Sequence, residues 1–235
     1  MKRNLLILIV LFVLVGTFTL PANATFTTGR AQRTFKIESF RVTPKVQLRG
    51  FLLGFGINNQ SSLNIKLTQA SEKEDADKPA MNFIIPSFEK IKGYDPKTDN
   101  PKFYLDGPIV NFSYQYIPKN RFFITPNSLN GLEIGLRHYT GKVYNEANNN
   151  EFMQNIDKTY LMFGLLSRSR WDNYNLFSEF KFSYDMQELG GWIFDSQAGL
   201  EYKFKENIRL QLSYRAMAST ADSQQGINIG ARIHY

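Results

Sequence analysis

A transmembrane, antiparallel, up-and-down β-barrel of eight to ten strands is the fold class this sequence predicts, on three observations. Residues 226–235 alternate strictly, with Ile227, Ile229, Ala231, Ile233 and Tyr235 on one face of an extended strand and Asn228, Gly230, Arg232 and His234 on the other. Segments of about ten residues with the same alternation recur back through the chain, separated by turn residues, and helical periodicity is missing from its second half. Residues 1–24 join Lys2 and Arg3, an apolar run from Leu5 to Val15 and the small-x-small sequence Ala22-Asn23-Ala24, the three regions of a cleavable secretory leader.

In chain order, strands are expected near 33–42, 46–57, 61–69, 103–116, 129–140, 157–168, 174–186, 191–204, 207–218 and 226–235. The first two, separated by Thr43-Pro44, decide between eight and ten. Within 174–186, Leu176, Phe180, Phe182 and Tyr184 oppose Glu179, Lys181 and Ser183. The next strand sets Trp192, Phe194, Ala198, Leu200, Tyr202 and Phe204 against Asp195, Gln197, Glu201 and Lys203. Lys205-Glu206-Asn207 makes a tight turn, after which Ile208, Leu210, Leu212 and Tyr214 oppose Arg209, Gln211, Ser213 and Arg215. A barrel domain over 25–235 follows, with long connections near 70–102 and 141–156.

Alternation alone fits a soluble barrel as well as a membrane one. Aromatic residues near strand ends (Tyr116, Tyr160, Tyr184, Tyr202, Phe204, Tyr214, Tyr235) decide for the membrane, because rings with a polar tip favour the interface between hydrocarbon and headgroups. An exported chain without cysteine is neither a disulfide scaffold nor a lipid-anchored protein. The formal charge is +7, but the bases are spread through the strands rather than gathered in a patch, which argues against nucleic acid as a partner.

The inward residues are then Glu133, Arg137, Glu179, Lys181, Asp195, Glu201, Lys203, Arg209, Arg215 and Arg232. Mixed charges in a lumen this narrow predict an ion-paired plug; an excess of bases would instead favour a narrow, weakly anion-preferring pore. The start of the 70–102 connection mixes Glu72, Glu74, Asp75 and Asp77 with Lys73 and Lys78, at spacings that match no EF-hand loop, so neither metal nor cofactor is expected.

The chain's end, Asn228-x-Gly230-x-x-Ile233-x-Tyr235, resembles the C-terminal assembly signal of bacterial outer-membrane β-barrel proteins, with Tyr where Phe is commonest. That resemblance implies recognition by the barrel-assembly machinery and residence among the lipids and lipopolysaccharide of an outer membrane. It also implies a periplasmic C-terminus, which makes the two long connections extracellular. A second motif, His138-x-Thr140, shares the lipid-facing parity of Leu132, Ile134 and Leu136. It is similar to the His-x-Ser pair of outer-membrane phospholipase A and the lipid A deacylases, which implies acyl transfer with His138 as base, Thr140 as nucleophile and Asp157 or Asn155 orienting the imidazole. The sequence departs from that pattern, with Thr140 in place of Ser and Gly141 in place of Asn, so catalysis is not expected to be the main role. His234 is expected to face inward as a hydrogen-bond partner. The function expected is that of a non-enzymatic surface or envelope protein that meets host or surface ligands through its loops.

Overall fold

The computed structural model describes residues 32–41, 46–72, 81, 91, 93–118, 128–148, 151–186, 191–219 and 222–235; the expected leader lies outside them. The strands are β1 (Arg33–Arg41), β2 (Val46–Asn58), β3 (Ser61–Glu72), β4 (Pro101–Leu105), β5 (Ile109–Tyr116), β6 (Ser128–Asn145), β7 (Glu151–Trp171), β8 (Tyr174–Asp185), β9 (Trp192–Lys205), β10 (Ile208–Ser219) and β11 (Ser223–His234). Every pairing is antiparallel, β1 hydrogen-bonds to β11, and β6 to β7 closes the ring. Ten strands form the barrel, with β4 a short addition stacked beyond β5 on the edge of β6. The expected 33–42 and 46–57 pair is therefore present, and ten is the count.

Two connections differ from expectation. The strand read as 103–116 is broken at 106–108, where Gly107 and Pro108 cannot hold a continuous ladder, so β4 and β5 pair with β6 separately. The connection read as 141–156 is mostly strand. Alternation continues through Tyr139, Gly141 and Val143 on the inner face and Thr140, Lys142 and Tyr144 on the outer, leaving only 146–150 between β6 and β7.

The turns at 59–60, 172–173 and 206–207 lie at the end that holds the start of β1 and the end of β11, called the termini end below. Asp172 adopts φ 40 in its two-residue turn, a left-handed conformation that short acidic side chains tolerate better than bulky ones. The start of β1 is locked to the last residue: Arg33 N–H donates to the Tyr235 carbonyl at 2.9 Å, and Tyr235 N–H to the Arg33 carbonyl at 3.0 Å.

Sorted by face, the barrel is inside-out relative to a soluble protein. Phe51, Leu53, Ile65, Leu67, Phe112, Ile134, Phe163, Leu165, Leu210 and Leu212 point outward and are exposed, while Lys36, Glu38, Glu133, Arg137, Asp195, Glu201, Arg209, Arg215 and Arg232 point inward and are buried. Apolar side chains facing out around a charged interior are the mark of a membrane-spanning barrel, since only a hydrocarbon solvent favours that arrangement. Tyr114, Tyr116, Tyr174, Tyr202 and Phe204 ring the termini end of the belt. Tyr160, expected among the interfacial aromatics, instead points into the lumen and is fully buried.

Candidate functional site

The lumen has two parts. Toward the termini and across the middle, side chains from all around the ring meet as ion pairs. Glu38 of β1 accepts from Lys36 at 2.8 Å, from Lys66 of β3 and from Arg215 of β10 at 3.4 Å. Gly50 stands opposite Glu38, and a Cβ there would come within 2.8 Å of Glu38 Cγ, so the missing side chain gives the carboxylate its room. Asp195 of β9 holds Arg215 at 2.6 Å and Arg137 at 3.3 Å. Lys181 reaches Glu133 at 2.9 Å, and Arg168 spans Glu179 at 3.5 Å and Glu201 at 3.4 Å. Glu201 also meets Arg232 at 3.2 Å. Most of these groups are buried, so their charges are met within the barrel, and Glu38, Asp195 and Glu201 each draw bases from at least two other strands.

At the opposite end the lumen is apolar. Phe40, Leu48, Ile109, Tyr139, Val143, Tyr160, Ile193 and Met217 project inward from seven strands and close over with Phe103 and Leu105 of β4 and with Met81 and Ile91 from the long connection. Tyr139 stacks on Tyr160 at 5.6 Å between ring centroids, and their hydroxyls hydrogen-bond at 2.8 Å. Phe103 meets the Tyr139 ring edge-on at 5.6 Å, and its carbonyl accepts from Met81 N–H at 2.7 Å. The Arg215 guanidinium lies over the Phe40 ring at 5.2 Å, joining this cap to the ionic lattice beneath. Between the two remains a void of about 10 Å³ lined by residues that include Leu48, Asn111, Arg137, Tyr139 and Met217, about the volume of one water.

On the outer surface His138, Thr140 and Asp157 lie together at the upper edge of the apolar belt. β6 and β7 place Thr140 directly opposite Asp157 and His138 opposite Thr159. The imidazole Nδ1 is 3.1 Å from Thr159 Oγ1 and 3.7 Å from an Asp157 carboxylate oxygen. Among the described residues no hydrogen bond joins His138 to Thr140. Asn155, the other residue considered for orienting the ring, sits opposite Lys142, two residues further from the belt than Asp157. The sequence brought His138 and Asp157 into view but passed over Thr159, which holds the ring.

The terminal pattern occupies the last staves as follows. Asn228 points inward, fully buried, and its amide donates to Ser213 Oγ at 3.2 Å. Gly230 faces Glu38, where a Cβ would sit 2.8 Å from the Ile37 carbonyl, so the closing strand can approach β1 only with glycine there. Ile233 and Tyr235 share the outer face. His234 faces in, its Nδ1 3.0 Å from Thr34 Oγ1.

No family model matches the chain, and no curated protein matches it. Among solved structures it is similar to the N-terminal β-barrel domain of Pseudomonas aeruginosa OprF, at 14% identity over 88% of this chain and 100% of that one, with a TM-score of 0.39. The outer membrane protease OmpT from Escherichia coli overlaps 91% of this chain and 99% of its own at 10% identity and a TM-score of 0.42. KdgM porin covers 86% of this chain and 98% of its own at 8% identity and 0.39. These overlaps transfer no activity.

Among the lumen groups that escaped the sequence reading are Lys36, Glu38, Lys66 and Arg168. Each sits in a strand whose alternation was legible, such as Phe35-Lys36-Ile37-Glu38, and the inner-face parity of β1, β3 and β7 would have supplied all four. The cap had no such signal. Its members are apolar residues on the inner parity, indistinguishable in sequence from belt residues until register assigns their face.

Proposed function

We propose that this chain is an outer-membrane β-barrel, sealed against solute passage, that works as a non-enzymatic surface protein through the structure projecting beyond its capped end. The exposed apolar belt, the leader-like residues 1–24 and the terminal pattern ending at Tyr235 support the location. They also support an orientation with the termini in the periplasm and the cap at the cell surface. The observation that carries the function is the cap: a barrel built to conduct does not close one mouth with fully buried Phe40, Phe103, Tyr139 and Tyr160. What projects is the extension of β6 and β7 past the belt, with β4 beside it.

Met81 and Ile91 belong to the cap, so the connection cannot be removed whole without opening the seal. Replacing only residues 82–90 by a Gly-Ser linker keeps both. Cells displaying that variant should retain a heat-modifiable barrel and lose adherence to host cells or matrix protein; unchanged adherence would remove the connection as the working part.

One observation favours a second reading, acyl transfer at the outer surface. The Asp157 carboxylate and the Thr159 hydroxyl both flank His138 Nδ1, as groups that orient a catalytic imidazole do. Release of fatty acid from phospholipid or lipid A, abolished in His138→Ala and in Thr140→Ala, would support it, and an inert protein would end it.

A further inference from the structure

Barrel walls curve outward, so a hollow on the outer face has to be built by side chains standing at its edges. One such hollow, of about 670 Å³, crosses β5 to β9 within the apolar belt. Register explains its shape. Tyr114 of β5, Ile134 of β6, Phe163 of β7, Phe182 of β8 and Phe194 of β9 are successive ladder partners and form one wall. Tyr116, Leu132, Leu165 and Phe180 form the other, two residues nearer the termini end on every strand. Between them the floor is backbone, because the intervening positions, Glu133 and Gly164, have the inward parity. The Glu133 carboxylate meets Lys181 inside the barrel at 2.9 Å, so no charge is turned toward the trough.

The trough is slanted and closed at one end. Tyr116 ends β5 beside the 59–60 turn, its neighbour Ile117 donating to the Gln60 carbonyl at 2.7 Å, whereas Phe194 follows Ile193 of the cap. It thus climbs from the termini-end girdle through the belt. At the top Phe180 of one wall stacks on Phe194 of the other, with 6.5 Å between centroids and 29° between planes, which blocks the way across β9. Phe182 is braced by the Trp192 ring at 6.4 Å. From β5 to that block, four strands at about 4.8 Å spacing leave roughly 14 Å of length, and the walls stand about 6.7 Å apart along the strands. A helix, about 10–12 Å across, is too wide to enter. A second copy of the barrel fits no better: in a two-fold pair the patch meets itself, and a hollow against the same hollow encloses a void.

We propose that the trough holds one acyl chain of a diacyl phospholipid from the leaflet at the termini end. Its length agrees with the roughly 15 Å that one chain fills, half of a hydrocarbon core about 30 Å thick. Tyr114 and Tyr116 stand at the open end, where amphipathic rings mark the headgroup level, so the chain enters there and its methyl end meets Phe180 and Phe194. Lipid tails are as apolar as these side chains, so the site gains nothing from hydrophobicity and holds its chain by close packing against two walls and a floor. That makes it sensitive to chain length and to bulk in the trough, and it fixes one lipid where the rest of the belt meets interchangeable ones. The inference needs a barrel in a bilayer and not the surface role proposed above, so either can fail without the other.

The test is native mass spectrometry of the full refolded barrel in an uncharged maltoside detergent, titrated with dipalmitoylphosphatidylcholine. The wild type should take up one lipid saturably, ahead of a weaker statistical series. Leu132→Trp puts a larger ring into the trough and should weaken that first binding about tenfold. Leu210→Trp, on the outer face of β10 away from the trough, should leave it unchanged. Didecanoylphosphatidylcholine, whose chains stop short of the end wall, should bind the wild type several-fold more weakly than the dipalmitoyl lipid, and Phe180→Ala should remove that preference. Should Leu132→Trp not give a heat-modifiable barrel, Ile134→Trp carries the same comparison. A purely statistical series of adducts, equal binding by Leu132→Trp and Leu210→Trp, or a dimer that Leu132→Trp dissociates in place of a bound lipid would overturn the site.

Discussion

The two ends of the lumen follow opposite rules of folding within one barrel. Toward the termini the interior is a lattice of carboxylates and bases, where each contact is directional and removing one partner leaves a buried charge. At the cap the interior is an ordinary hydrophobic core, where contacts are non-directional and the penalty for a change scales with the volume lost. The same ring of strands supports both because strand register, not composition, decides which residues meet. The comparison teaches that one register gives directional ion pairs at one end of the lumen and volume-dependent packing at the other.

The largest effect should come from breaking the lattice at its most shared anion. Glu38→Ala leaves Lys36, Lys66 and Arg215 facing one another and should lower stability in urea by about 3–5 kcal/mol, the range for an orphaned buried charge. Glu38→Gln should recover little of it; recovery close to wild type would mean that the lattice acts through hydrogen bonding alone. Next in size, Leu212→Arg on the outer belt should cost about 2–4 kcal/mol in a bilayer, as expected for a base moved to the lipid side of a strand. The same substitution in a soluble barrel would be mild, so a small effect would break the assignment of faces. Within the cap, Tyr139→Phe deletes the bond to the Tyr160 hydroxyl and leaves a buried phenol, worth about 1–3 kcal/mol by equilibrium unfolding. The smallest change is Lys203→Ala, whose partner Glu206 is exposed; it should move stability by about 0–1 kcal/mol.

The strands were legible in the sequence because alternation is a local signal. Boundaries of β8, β9 and β10 fall within a residue or two of those read from the pattern, and the ten inward charges named from it do face the lumen or its rim. The break between β4 and β5 was missed although Gly107-Pro108 marks it, because apolar residues on both sides keep the same parity. The length of β6 and β7 was missed for a related reason. Beyond the belt their outer face turns polar at Thr140, Lys142, Asn155 and Asp157, which reads as a loop until the ladder is seen to continue.

The candidate sites show a sharper limit. His138 and Asp157 stood out as residue types, but Thr159 is an ordinary strand threonine until register sets it opposite His138. The outer trough that climbs from Tyr116 to Phe194 is likewise invisible along the chain. Its walls come from five strands, and alternation puts each member on the outer face without saying which side chains stand next to it until register aligns them.

Single-channel recording in planar bilayers tests the sealed lumen most directly. The full refolded barrel should insert and give no discrete conductance steps in either polarity, because fully buried apolar side chains close over one end of the lumen above the ion-paired lattice. Reproducible steps from the wild-type protein, of a size set by salt concentration, would contradict the account.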